Sequence, residues 1–75
     1  MSKHETKTVT VMLSIKREKS DGTEQAYLAR HTGLFSKVAG SWFLEEWSTS
    51  PLPFEMTDEE KREAFDALYR EVDKQ

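Results

Sequence analysis

The clearest pattern in the chain is the alternation from Thr8 to Arg17. Val9, Val11, Leu13 and Ile15 fall on one side of an extended backbone, and Thr8, Thr10, Met12, Ser14 and Lys16 on the other. Successive side chains of a strand point to opposite faces, so this period predicts a half-buried strand over about 8–17. Lys19-Ser20-Asp21-Gly22-Thr23 follows, and Asp-Gly between extended runs marks a hairpin, because glycine takes the positive φ the turn needs. A second strand is expected over about 24–32. A two-residue loop would set Leu28 opposite Ile15. A three-residue loop with Gly22 in a bulge would set Tyr27 there and bury the other side of the strand; Lys-Ser-Asp-Gly-Thr favours this bulged form. A short helix is the rival pattern, since Asp21 stands three residues before Glu24 and Gly33 can stop a helix.

Leu34 to Gly40 reads as a connection punctuated by Gly33 and Gly40, with Leu34, Phe35 and Val38 tucked beneath it. The aromatic-rich run Ser41–Thr49 predicts a third strand over about 41–49. Regular alternation there places Trp42 and Leu44 on one face and Phe43 and Trp47 on the other, and sends Glu45 and Glu46 to opposite faces. Pro51 and Pro53 lack ladder donors and end the strand. Pro51-Leu52-Pro53-Phe54 reads as a stiff connector; as a docking peptide it lacks the usual P-x-x-P spacing.

The helix signal is the most complete. Thr57 and Glu60 stand in capping-box spacing, and Asp58, Glu59 and Glu60 fill the first turn, where the helix dipole favours negative charge. Phe65, Leu68, Tyr69 and Val72 then recur on one face, flanked by Ala64 and the Lys61 stem. A helix over about 58–73 follows, with Asp58–Arg62 and Asp66–Arg70 as surface i,i+4 pairs. The expected fold is α+β: a small antiparallel three-stranded sheet in β-β-β-α order with one C-terminal amphipathic helix packed on it. Residues 8–75 form a single domain and residues 1–7 a flexible N-terminal tail.

Composition narrows the chemistry. Seventy-five residues hold one core, and the absence of cysteine removes disulfides, thiolate metal sites and cysteine nucleophiles. The polar opening Met1–Lys7 does not resemble the apolar centre of a signal peptide, and no apolar run approaches a membrane span, so a cytoplasmic protein without membrane contact is expected. Charge is lopsided. Residues 1–44 carry seven Lys/Arg against four Asp/Glu, whereas residues 45–75 carry four against ten. Such polarity can orient a partner during diffusion.

No catalytic constellation stands out. His4 and His31 are the only imidazoles, and no glycine-rich phosphate loop or metal-ligand spacing occurs, so no catalytic residue, metal or cofactor is expected. Three surfaces remain as candidates. The acidic helix face, Glu59, Glu63, Asp66 and Asp73, suits a basic protein, including a host protein that itself binds nucleic acid, whose phosphates these carboxylates would imitate. Trp42, Phe43 and Trp47 either pack beneath the helix and connectors or anchor a partner, a second copy included. Lys16, Arg17, Lys19 and Arg30, with Tyr27 and His31 nearby, offer phosphate contacts and a stacking ring, against which stand a pI near 5.3 and the acidic second half. The leading expectation is a small acidic, non-enzymatic protein-binding module. In size and composition it resembles the compact inhibitors and adaptors of phages and mobile elements, anti-defence proteins among them. A nucleic-acid-binding module and a self-associating structural protein are the alternatives.

Overall fold

The computed structural model describes residues 5–74. Strand β1 (Glu5–Glu18), strand β2 (Glu24–Val38) and strand β3 (Ser41–Thr49) form one antiparallel sheet in the order β1-β2-β3, and helix α1 (Asp58–Lys74) closes the chain. The α+β reading therefore holds, and residues 24–32 are strand rather than helix.

The first hairpin follows the bulged alternative. Gly22 N–H donates to the Lys19 carbonyl at 3.0 Å with Gly22 at φ +87°, and Ile15 stands opposite Tyr27. Asp21 braces the turn by accepting from the Thr23 amide and hydroxyl at 3.0 and 2.6 Å.

Both long strands exceed the expected limits. Leu34 to Val38 continue β2 instead of forming a connection, and a two-residue turn leads into β3, with Ala39 and Gly40 at φ +52° and +84°. The extra length of β2 gives β1 more to pair with, so Glu5, Thr6 and Lys7 join the ladder opposite Lys37, Ser36 and Phe35. The tail expected over residues 1–7 thus gives way at Glu5, and its first four residues, His4 included, lie outside the described residues. The paired strands make a molecule 59 Å long and about 19 Å across.

A bulge corrects the faces of β3. Leu34 pairs with Glu46 but Phe35 with Leu44, leaving Glu45 as the extra residue. Parity changes across it, so Trp42, Leu44 and Trp47 all face α1, while Phe43 points to the opposite side. Glu45 and Glu46 both lie on that opposite side, where the Ser36 hydroxyl donates to Glu45 Oε1 at 2.6 Å.

The core lies between α1 and one face of the sheet. Val9, Phe35, Leu68 and Val72 are buried, with Val11, Trp42 and Leu44 packed against them. The buried helix stripe is Ala64, Leu68 and Val72. Phe65 and Tyr69, expected in that stripe, sit on its flank towards β3. Phe65 meets Trp47 edge-on at 4.8 Å, and Tyr69 meets Phe35 at 5.0 Å while its hydroxyl accepts from the Leu44 amide. Lys61 is exposed and lines a cleft with Trp47 and Met56. Among the described residues the Asp58–Arg62 and Asp66–Arg70 pairs do not close.

Candidate functional site

The capping box forms as its spacing predicts: Glu60 N–H donates to Thr57 Oγ1 at 3.2 Å, and Thr57 N–H to Glu60 Oε1 at 2.8 Å. The same carboxylate takes both arms of Arg17, with Nη1 and Nη2 at 2.5 and 2.6 Å from Oε2 and Oε1. Arg17 also donates to the Glu55 carbonyl and lies 4.2 Å from the centre of the Phe54 ring, which packs edge-on against Tyr27. The Arg17 hydrogen bonds hold the Glu60 carboxyl down to a pKa of about 2, helped by the Thr57 amide. Pro51–Phe54 is thereby a connector folded back onto the hairpin.

This geometry disperses the basic candidates. Arg17 is engaged by Glu60, and Tyr27 and His31 lie on the helix-covered face of the sheet. Lys16 and Arg30 project from the open face, and Lys19 sits in the turn. The structure does not bring Lys16, Arg17, Lys19 and Arg30 into one patch with an available aromatic ring.

His31 is wholly buried. Its Nδ1 lies 2.9 Å from Thr49 Oγ1, and its Nε2 has no hydrogen-bond partner. Burial pushes its pKa below the ordinary imidazole value, so the ring is neutral at pH 7. Beside it lies a cleft of about 360 Å3 whose rim includes Glu59, Glu60 and Glu63. Among the described residues no carboxylate hydrogen-bonds the imidazole, and of the acids on the cleft rim Glu60 is spent on Arg17. No group of three or more His, Asp or Glu among the described residues is arranged to hold a metal ion.

The aromatic candidates divide. Trp42 and Trp47 face the helix, with Trp42 also lying between Lys7 and Lys37 at 5.2 and 5.4 Å from its ring centre. Phe43 is 51 % exposed on the open side of the sheet. A second cleft, of about 510 Å3, runs between Trp47, Met56 and Lys61.

The acidic candidates stay together. Glu59, Glu63, Asp66 and Asp73 are all exposed on α1, Glu59 and Glu63 at the rim of the cleft beside His31, and among the described residues none has an ion-pair or hydrogen-bond partner. Arg62 and Arg70 interrupt the stripe without pairing with it. The open face of the sheet as a whole was not a candidate in the sequence, although Phe43, Lys16 and Arg30 on it were. Its signal was the polar half of the 8–17 alternation, which passes for an ordinary solvated surface unless Met12 is weighed together with Leu28.

No protein-family model, curated protein or solved structure matches the chain. No helix among the described residues is long and apolar enough to cross a membrane.

Proposed function

We propose that this chain is a non-enzymatic binding module that acts by direct contact with a basic protein through the outer face of α1. The observation that carries the reading is the unspent charge of Glu59, Glu63, Asp66 and Asp73. Glu60, the acid the fold needs, is turned inward to Arg17, while these four are held at fixed helical spacing and left to solvent. Rigid presentation lowers the ordering cost of binding, and the fixed field steers an oppositely charged partner. The same stripe is what a protein with a phosphate-binding surface would accept in place of nucleic acid. The inhibitor or adaptor role, on a cytoplasmic host protein and encoded by a phage or mobile element, belongs to this proposal. Dispersal of the basic residues favours it over direct nucleic-acid binding.

The test is capture from a host lysate by the wild-type chain and by a variant carrying Glu59→Lys, Glu63→Lys, Asp66→Lys and Asp73→Lys. A protein held by the wild type, released by added salt and lost by the variant is the expected result. Equal capture by both chains, or oligonucleotide binding that weakens on neutralising Lys16 and Arg30, would overturn the reading.

A further inference from the structure

The sheet has two faces and α1 covers one. The other carries Met12, Leu28, Phe43 and Val38 at 54, 62, 51 and 44 % exposure, set among threonines and serines.

We propose that the open face packs against the open face of a second copy of this chain, making a two-sheet sandwich with a helix on each outer side. The placement of Arg30 and Glu46 selects the occupant. Lys16 and Arg30 lie on the hairpin half of the face, with Glu18 and Glu24 beyond them at its tip, Glu45 and Glu46 lie on the other half, and the row Thr10, Thr32 and Ser48 between them is uncharged. A two-fold axis in the interface, running along that row and across the strands, turns each half onto the opposite half. The Met12–Arg30 row of each copy then lies over the Thr8–Leu34–Glu46 row of the other, with Arg30 within reach of the second copy's Glu46. The pair occurs twice, as an isologous contact requires. Leu28 falls near Phe43 of the second copy by the same operation. Sheets packed in this way stand about 10 Å apart, a gap that side chains of these sizes fill.

Sedimentation equilibrium of the full chain over a concentration series tests this. The wild type is expected to approach twice the monomer mass. Arg30→Glu and Glu46→Arg, each an exposed position whose circular dichroism should stay that of the wild type, are each expected to raise the dimer dissociation constant roughly tenfold or more. Mixing the two variants restores dimer. One of the two contacts then joins the native Arg30 to the native Glu46, and the other joins the two substituted side chains, again of opposite charge. A wild type that remains monomeric at millimolar concentration would overturn the proposal. So would a dimer indifferent to both substitutions, or two variants that fail to associate when mixed. The helix-face variant is expected to dimerise like the wild type, so failure here and failure of the acidic-face reading are separable.

Discussion

Arg17, near the end of β1, and Glu60, in the first turn of α1, meet in a two-pronged ion pair across 43 positions of sequence. The contact ties the start of the helix to the hairpin and completes the Thr57 cap with the same carboxylate. Because the folded state holds Glu60 at a pKa of about 2, below its ordinary 4.5, the contribution is present above pH 4.5 and is lost as pH falls towards 2. In Glu60→Gln the melting temperature should be lower than wild type at pH 7, and the two melting curves should converge through that window. Parallel acid dependence in both chains would mean that the pair does not stabilise the fold.

His31 gives a second, separate acid response. Its folded pKa lies below the ordinary 6.5, so the unfolded chain takes up the proton first. Stability is fully present above pH 6.5 and falls as pH drops from there towards the folded value. Imidazole NMR titration should report the depressed pKa directly. A His31→Phe variant should lose this part of the slope below pH 6.5.

Within α1 the buried stripe, not the aromatic flank, should dominate stability. Leu68→Ala removes a wholly buried side chain and is expected to cost roughly 2–5 kcal/mol. Phe65→Ala, at a half-buried site against Trp47, should cost less, and denaturant unfolding of both variants checks the order.

What the sequence concealed has a common cause. The Val9–Ile15 alternation and the Thr57–Glu60 cap are local rules, so β1, the first turn and α1 were legible in outline. The second hairpin was hidden because Ala39-Gly40 lacks the Asn-Gly or Asp-Gly signal, and the bulge at Glu45 because an extra residue leaves no mark until its partner strand is known. That bulge alone reverses where Trp47 and Glu46 point. For the site, the exposed acids were legible from helical spacing. The engagement of Arg17 was not, because its partner arrives from the far end of the chain.

Ala39 itself carries a cost. A left-handed conformation costs a non-glycine residue roughly 1–2 kcal/mol, and asparagine tolerates it better than alanine. With Ala39 at φ +52°, Ala39→Asn should raise the denaturation midpoint and leave the fold unchanged. A lower midpoint would contradict the turn described here.

The central claim is that α1 holds the fold with Ala64, Leu68 and Val72 and meets its partner with the opposite face. Carbodiimide footprinting of carboxylates, read by mass spectrometry with and without the captured protein, tests it most directly. The account predicts that Glu59, Glu63, Asp66 and Asp73 lose labelling in the complex while Glu18 and Glu24 in the first hairpin do not. Unchanged labelling of the four helix acids, with protection at the hairpin instead, would contradict it.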